Sequence, residues 1–335
     1  MVKIHSIDIS PPLLNSSCAW ASDLKQLTEL YESAHTGAVT TRTAKLNGFQ
    51  EGPQHTVVFA AESVSSLNSY GYSPYPLRQY IEWTYALLTS STQSPKPVIL
   101  SITDSSPPLV AEMLLQIHDL RRRLKSHFLG QSSSIDPSSL VAVELNTSCP
   151  NIPDLPPPSY DPETLAPFLS VLAASFKSDP TLTIGLKLPP YVYAAQFKAL
   201  VEAVAQHSFD LDGHRINPIA YLACTNTLGS SFMFSDQIVH SDQPQDALTA
   251  ALPTGFGGLA GEAIHPISLG NVRSFAQLIG DHPDPSIHEM KIFGIGGLTN
   301  ASAKARMHEA GAHVVGCATL LGRHGVKAFE MLASV

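Results

Sequence analysis

The sequence predicts an α/β protein: a (β/α)8 TIM barrel with N-terminal strands and extended loops over its carboxyl-terminal mouth. Short apolar runs alternate with helical patterns about eight times, which is typical of parallel strands buried on both faces. Glycines and small polar residues follow several of these strands, at the end where barrel enzymes place their active sites. We expect a single domain over residues 1–335.

The first part of the chain is the least regular. Two short strands are predicted within residues 1–20, and helical spacing follows over residues 23–34. Residues 37–43 predict a buried strand that ends in Arg42 and Thr43, which we count as the first barrel strand. Residues 44–72 form a long departure from this pattern, with a short strand near Val57, and a helix is expected from Leu77 to Leu88.

From residue 97 onward, strands and helices alternate regularly. The predicted strands cover residues 97–103, 141–146, 182–187, 218–224, 291–295 and 312–316. The predicted helices cover residues 109–128, 162–176, 194–205, 266–278, 301–310 and 318–332. A Ser-rich loop occupies residues 131–139, and a second long departure covers residues 228–264. We expect both departures, 44–72 and 228–264, to lie over the barrel mouth as lids.

The stretch from Val141 to Asn151 carries the strongest functional signal. Its alternating apolar residues predict a strand, which then stops abruptly in amides, hydroxyls and the thiol of Cys149. A lone cysteine is commonly a small buried hydrophobe. The polar neighbours of Cys149 favour the rim of a site instead, with Pro150 fixing the backbone just after the thiol.

Two glycine-containing turns and one lysine predict an anion site. Residues 294–297 and 315–318 follow the seventh and eighth predicted strands, whose loops form the common phosphate site of barrels. Glycine lets backbone N–H groups approach an anion, although the same glycines could serve only tight turns. Lys187 ends an apolar strand, so its ammonium either leaves the core for solvent or faces a developing anion. Beside a phosphate site, the second interpretation is favoured.

Composition excludes several function classes. A net charge of −8 argues against a nucleic-acid partner, and no apolar run approaches the roughly 20 residues of a membrane span. The four cysteines form no CxxC pair and the histidines no ligand spacing, so we expect no metal and no disulfide framework. A reducing, cytoplasmic setting follows as the expectation. Paired carboxylates are absent from the strand ends, which disfavours hydrolysis of sugars.

Five motifs then stand together in one order: 144–151 (ELNTSCPN), 185–191 (GLKLPPY), 255–261 (GFGGLAG), 294–297 (GIGG) and 315–318 (VGCA). In this order and spacing the chain resembles the dihydroorotate dehydrogenase family, most closely its soluble, fumarate-dependent class 1A type. The resemblance covers nearly the whole chain, and it implies an FMN-binding barrel that pairs as a homodimer. It also implies oxidation of (S)-dihydroorotate to orotate in de novo pyrimidine biosynthesis, with fumarate as electron acceptor.

The resemblance assigns roles to individual residues. Cys149 matches the general base that removes a proton while a hydride passes to flavin N5, and Lys187 matches a cation at the flavin N1–O2 edge. The matching flavin contacts are Ser17, Cys18, Arg42, Thr43, Asn146, Lys187, Thr225, Gly261, Gly296, Gly297, Gly316 and Cys317. The matching substrate contacts are Arg42, Asn68, Ser69, Tyr70, Gly71, Tyr72, Asn146, Asn151, Asn226 and Thr227.

Several residues depart from the family pattern. Arg42 stands where the family has lysine, and a forked guanidinium is larger than an ammonium. The other departures are Cys18 for glycine, Cys317 for threonine, His265 for lysine, and Tyr70 and Tyr72 for Met and Leu. The alternative hypothesis is therefore an FMN oxidoreductase of the same fold that acts on another small cyclic or enoate substrate. A non-catalytic flavin-binding barrel and a flavin-free phosphate-binding lyase are further alternatives.

Overall fold

Sixteen strands and ten α-helices occur in the computed structural model, within the residues that it describes: 1–90, 95–129, 136–149, 151, 157–239 and 248–333. The strands are β1 (Val2–Ile4), β2 (Ile7–Ile9), β3 (Leu13–Asn15), β4 (Val39–Thr40), β5 (Val57–Phe59), β6 (Ser65–Asn68), β7 (Val98–Ile102), β8 (Val141–Asn146), β9 (Thr183–Leu188), β10 (Phe209–Leu211), β11 (His214–Ile216), β12 (Tyr221–Cys224), β13 (Leu228–Phe232), β14 (Phe256–Gly261), β15 (Lys291–Ile295) and β16 (Val314–Cys317). The helices are α1 (Leu24–Glu32), α2 (Leu77–Ser90), α3 (Pro107–Phe128), α4 (Pro162–Ser178), α5 (Ala194–Ala205), α6 (His265–Gly280), α7 (Pro285–His288), α8 (Ala301–Glu309), α9 (Thr319–His324) and α10 (Lys327–Ala333).

Eight of these strands form a parallel barrel, as predicted. Their hydrogen-bonded order is β3, β16, β15, β12, β9, β8, β7 and β4. A parallel bridge between Leu14 and Ala38 joins β3 to β4. Buried aliphatic residues on the outer faces of the strands pack against the surrounding helices and form the main core. Each strand therefore points its carboxyl end at the same mouth.

The barrel count starts earlier than the sequence suggested. β3 is the first barrel strand, so the strand that leads to Arg42 and Thr43 is the second and not the first. β3 is only three residues long and follows Pro11 and Pro12, so it gives almost no periodic signal. β4 is also short, with two residues in the ladder.

An N-terminal hairpin closes the opposite end of the barrel. β1 and β2 pair antiparallel, and their residues Ile4, Ile7 and Ile9 are fully buried. They pack in one cluster with residues near the amino ends of barrel strands, among them Ile99 and Tyr221. The hairpin is thus a hydrophobic plug at the end of the barrel that lacks the strand-end polar residues.

The two long departures pair with each other over the mouth. β13, β14, β6 and β5 form a four-stranded sheet in that order, and β14 pairs antiparallel with β6, with Asn68 opposite Gly258. We call this sheet the lid sheet. The two predicted lids thus form one regular sheet, because strands from each lid form backbone hydrogen bonds with strands from the other. Pro150, residues 131–135 of the predicted Ser-rich loop and residues 240–247 of the second lid lie outside the described residues.

Within the described parts of the chain, none of the helices combines the length and the apolar character that a bilayer crossing requires. Over the same parts, His, Cys, Asp and Glu side chains form no group of three that could hold a metal ion.

Candidate active site

A deep cleft of about 1010 Å³, including its open mouth, lies between the carboxyl ends of the barrel strands and the lid sheet. Neither Asp nor Glu occurs among the described residues that line it, whereas Arg42 and Lys187 both do. The charged side chains in the described lining are therefore both cations, and the carboxylates near them lie outside the lining. Barrel strand ends contribute Ser17, Cys18, Arg42, Thr43, Asn146, Cys149, Lys187, Thr225, Asn226, Thr227, Gly296, Gly297 and Cys317, and the lid side contributes Asn68, Tyr70, Gly71, Tyr72 and Gly261.

A buried network of hydroxyls and one amide connects the ends of β3, β4, β7 and β8. The Thr43 hydroxyl lies 2.9 Å from both the Ser17 and the Ser101 hydroxyls. Asn146 donates to the same Thr43 oxygen through Nδ2, over 2.9 Å. These bonds leave little rotational freedom, so they fix the floor of the cleft before any ligand binds.

Lys187 is a cation held at this floor. Its side chain is buried, and Nζ donates to the Ser17 carbonyl over 3.0 Å. Burial lowers the pKa of Lys187, while the negative charges that Glu144, Cys18 and Cys149 can carry act in the opposite direction. The register of β8 and β9 places Lys187 directly beside Asn146. The ammonium therefore faces the cleft and does not leave the core for solvent.

Glu144 lies inside the barrel below Lys187. One carboxylate oxygen, Oε1, has no hydrogen-bond partner among the described residues, and the other is 3.5 Å from the Tyr221 hydroxyl. Burial raises the pKa of Glu144, and the nearby Lys187 charge opposes that rise. Glu144 thus faces the interior, beneath the cleft and not in its wall.

Cys149 lies on the loop after β8 and is partly exposed to the cleft. Burial raises the pKa of its thiol, and a backbone hydrogen bond from Asn151 and the charges of Lys187 and Arg42 act against that rise. Since the thiolate is the basic form, the surroundings determine how much of it exists near neutral pH. Tyr72 lies near this thiol and has its own pKa raised by burial.

Amides form a collar around the same position. Asn226 donates through Nδ2 to the Ser148 hydroxyl over 2.9 Å and to Asn146 Oδ1 over 3.3 Å. Asn151 donates to Asn68 Oδ1 over 3.2 Å and to the Tyr70 carbonyl over 2.8 Å. The collar joins the loops after β8 and β12 to the lid segment. Its amides can donate and accept hydrogen bonds, so they suit a ring that has both donor and acceptor groups.

Arg42 is oriented by three side chains. Its guanidinium is ion-paired with Glu51, and Nη1 donates to the Ser22 hydroxyl over 3.3 Å. The guanidinium carbon lies 5.2 Å from the centre of the Tyr70 ring, which is a cation–π distance. Arg42 is buried and faces the lid segment 68–72.

The glycine turns form the other half of the cleft. Gly261 and Gly297 adopt φ values of +82° and +70°. A Cβ on Gly261 would lie 2.2 Å from the Val64 carbonyl oxygen, and one on Gly297 would lie 2.4 Å from the His265 Cβ. The ring of His265 is held between the Gly296 carbonyl, 2.9 Å from Nδ1, and the Nε of Arg306, 3.3 Å from Nε2. Because Arg306 can only donate, the proton of a neutral ring is on Nδ1 and is directed at Gly296.

A family model described as dihydroorotate dehydrogenase matches residues 1–334. The chain belongs to the dihydroorotate dehydrogenase family. This family consists of oxidoreductases, and the similar proteins are of the class 1A, fumarate-dependent type.

Curated relatives are similar over almost the whole chain. A probable dihydroorotate dehydrogenase A (fumarate) of Streptococcus pneumoniae is 27% identical over 332 residues, covering 99% of this chain and 90% of the relative. The dihydroorotate dehydrogenase (fumarate) of Lachancea kluyveri is 26% identical over 321 residues, covering 96% and 87%. A probable dihydroorotate dehydrogenase A (fumarate) of Enterococcus faecalis is 28% identical over 332 residues, covering 99% and 91%.

Two residues that the family resemblance assigned to the site do not line the cleft. The Ser69 hydroxyl donates to the Gln54 carbonyl, so it fixes the lid loop and points away from the cleft. Gly316 lies inside β16, where a Cβ would meet Ile295 and Leu14 side chains. The other assigned residues all line this cleft.

The sequence did not single out several residues that the fold brings to the site. Ser66 of the lid sheet and Thr319 of α9 line the cleft, with their hydroxyls 2.9 Å apart. Trp20, after β3, lines it as well. Ser66 lies two residues before the predicted substrate contact Asn68, which could have indicated it, whereas Glu51 gave no signal because its partner Arg42 lies on another element.

Cys18 and Cys317 are two further thiols that line the cleft. Burial raises the pKa of Cys18 to about 11 and that of Cys317 to about 12. Both are therefore neutral thiols near neutral pH and act as small apolar contacts.

Proposed function

We propose that this protein oxidises (S)-dihydroorotate to orotate in de novo pyrimidine biosynthesis, with FMN as cofactor and fumarate as electron acceptor. The observation that supports this most is that Cys149, Lys187 and the amide collar converge on the same cleft. A base, a buried cation and paired amides are what removal of a proton and a hydride from a carboxylated, uracil-like ring requires. The homodimer and the cytoplasmic location remain predictions.

The residues present fit FMN. Gly261 and Gly297 line the cleft without side chains, and a Cβ at either would clash with the protein, at the Val64 carbonyl oxygen or at the His265 Cβ. Backbone groups at these two positions can therefore approach a phosphate closely. Lys187, fixed to Ser17, supplies a cation for an electron-rich ring edge, and Thr225 and the Ser17–Thr43 pair supply hydroxyls. When bound, FMN supplies an acceptor for the hydride.

Cys149 is the residue that would accept the proton. The proton leaves the substrate carbon next to a carbonyl and passes to Sγ of the thiolate, whose position is set by the strand end and by its neighbour Asn151. Asn226 and Asn151 hold the ring by donating and accepting hydrogen bonds, which keeps that carbon in front of the thiolate. Lys187 would lie against the ring edge of bound FMN and would stabilise the negative charge that the cofactor gains with the hydride.

One observation favours a different substrate of the same chemistry. Arg42 replaces the family lysine and is already neutralised by Glu51, beside Tyr70, which also departs from the pattern. An FMN oxidoreductase with this cleft could accept a small ring without the carboxylate. This is the second candidate function.

An anaerobic reduction experiment tests both candidates. The purified holoprotein is mixed with dihydroorotate, and the visible flavin absorbance is recorded before and after addition of fumarate. Bleaching that reverses with fumarate is the expected result. A flavin band that stays unchanged would contradict the dihydroorotate assignment and favour the second candidate, for which dihydrouracil is the first ring to test. Absence of any flavin from the purified and FMN-reconstituted protein would contradict both.

A further inference from the structure

The two cations of the cleft each have a carboxylate behind them. Lys187 has Glu144 beneath it, inside the barrel, without a direct ion pair. Arg42 has Glu51 in direct contact. Glu51 is not part of the cleft lining, and its side chain is 27% exposed, whereas that of Arg42 is only 7% exposed. Glu51 therefore reaches the buried guanidinium from the solvent side.

The contacts of Arg42 place a carboxylate directly against its charge, while other N–H groups of the guanidinium stay available to a ligand. One terminal nitrogen is used by Glu51 and the other by Ser22, and the Tyr70 ring lies 5.2 Å from the guanidinium carbon. The backbone N–H of Tyr70 donates to Asn68 Oδ1 over 3.2 Å, which ties this contact to the amide collar. An anion bound against the collar thus meets a guanidinium whose charge is already balanced.

We infer that Glu51 competes with the substrate's carboxylate for Arg42, and so sets how strongly the cleft prefers carboxylate-bearing rings over uncharged rings of the same shape. The inference rests on the proposed function, because it takes the ligand to be a pyrimidine ring bound at the collar. Glu51 acts through Arg42 and is a positioning residue.

The sign of the effect follows from charge alone. A ligand carboxylate near Arg42 must share the guanidinium with Glu51, and two carboxylates at one cation repel each other. An uncharged ring has no carboxylate, so Glu51 does not repel it. Removing the charge of Glu51 should therefore strengthen binding of the carboxylated ring and leave that of the uncharged ring unchanged.

Orotate and uracil are suitable probes, because they share a ring and differ by one carboxylate. Their dissociation constants would be measured by isothermal titration calorimetry on the holoprotein, for the unchanged chain, Glu51→Gln and Glu51→Asp. We expect Glu51→Gln to bind orotate about tenfold more tightly and uracil within about twofold of the unchanged chain. Glu51→Asp keeps the charge and should keep the original ratio of the two constants. In an Arg42→Gln background, Glu51→Gln should lose its effect on orotate.

The outcomes separate the inference from the proposed function. If Glu51→Gln changes the two dissociation constants by the same factor, Glu51 has a structural role only and the inference fails. If orotate binds more weakly to Glu51→Gln, Glu51 orients Arg42 for the ligand, which also overturns competition. If neither ring binds the unchanged chain or any variant, the proposed function itself fails.

Discussion

At the scale of single residues, the chemistry of the site depends on the state of one thiol. The pKa of Cys149 is raised by burial and lowered again by the Asn151 backbone, Lys187 and Arg42. Its neighbours Cys18 and Cys317 line the same cleft, yet their pKa values are raised to about 11 and about 12. Burial thus raises the pKa of all three thiols, and Cys149 is the one that lies beside the amide collar.

Replacement of Cys149 tests its role as base. Cys149→Ala should lower kcat by about 10²–10⁴-fold, because a positioned general base contributes that much. In the unchanged chain kcat should rise with pH, since only the deprotonated thiol accepts a proton, and burial moves that rise above the ordinary value of about 8.5. Steady-state rates between neutral and alkaline pH measure both effects.

Cys149→Ser is the matched control for this profile. A hydroxyl ionises at much higher pH, so activity should be low and should keep rising at the alkaline limit. Full activity of Cys149→Ala, or the same pH profile in the serine variant, would contradict the assignment of the base.

At the scale of elements, the loop before α8 packs closely against the first residue of α6. Gly297 has a φ of +70°, and a Cβ there would lie 2.4 Å from the His265 Cβ. Gly270, inside α6, has open space around its Cβ direction. Glycine is therefore required by packing at Gly297 and not at Gly270.

Alanine substitution separates these two roles. Gly297→Ala should weaken FMN binding at least about tenfold and destabilise the fold by about 1–3 kcal/mol, because it imposes strain at a positive φ. Gly270→Ala should leave FMN binding unchanged and stabilise by about 0.4–1 kcal/mol, since it reduces the freedom of the unfolded chain. Fluorescence titration with FMN and denaturant unfolding provide the measurements. Equal effects of the two substitutions would show that the turn has no special fit.

The lid sheet is attached to the barrel through α9. Arg323 donates to the carbonyls of Ala60 and Ser63, between β5 and β6, and its guanidinium lies 5.4 Å from the Phe59 ring centre. These bonds join an element that leaves the barrel to one that covers the mouth. Arg323 is therefore placed to control how often the lid sheet opens.

Arg323→Met should make the lid sheet open more often. We expect amide hydrogen exchange of residues 57–68 to become at least about tenfold faster, because the two carbonyls lose a charged donor whose bonds are worth about 1.5–3 kcal/mol each. Arg122→Met, at a side chain that is 75% exposed, is the control and should leave this exchange unchanged. Unaltered exchange in Arg323→Met would show that the β-ladders alone hold the sheet.

At the scale of the whole molecule, the barrel separates stability from chemistry. The hairpin of β1 and β2 fills the amino end, and Ile7 is fully buried there. The cleft lies at the carboxyl end, on the far side of the packed interior. Substitutions in the hairpin at the amino end should therefore change stability and leave FMN binding and catalysis at the carboxyl end intact.

Ile7→Ala tests this separation. The change should cost about 2–5 kcal/mol of stability, because it leaves a cavity in the plug, and it should lower the thermal midpoint by several degrees. FMN binding and kcat at 25 °C should stay within about twofold. Asp8→Ala, at the exposed position between the two isoleucines, should change the midpoint little. Loss of FMN binding in Ile7→Ala would show that the two ends are coupled.

Much of this arrangement was predictable from local patterns. Alternation of apolar strands with helices predicted the barrel, and the ELNTSCPN stretch predicted the position of Cys149 at a strand end. Lys187 ends a buried strand, and the predicted phosphate site beside it favoured a position facing an anion; in the structure its side chain is buried and lines the cleft. These are properties of single segments, for which the periodicity of the chain determines what is buried.

Other features were decided only by the tertiary structure. The sequence missed β3 as the first barrel strand, because three residues after two prolines show no periodicity. The sequence also did not predict that the two lids pair in one sheet or that Arg42 forms an ion pair with Glu51. Nor did it predict that the Ser69 hydroxyl donates to the Gln54 carbonyl and points away from the cleft. The sequence by itself determined which strands are buried and which residues follow them, since side-chain hydrophobicity acts locally. Only the closed barrel decided which of those residues meet, because hydrogen bonds and ion pairs depend on distances that a linear pattern does not contain.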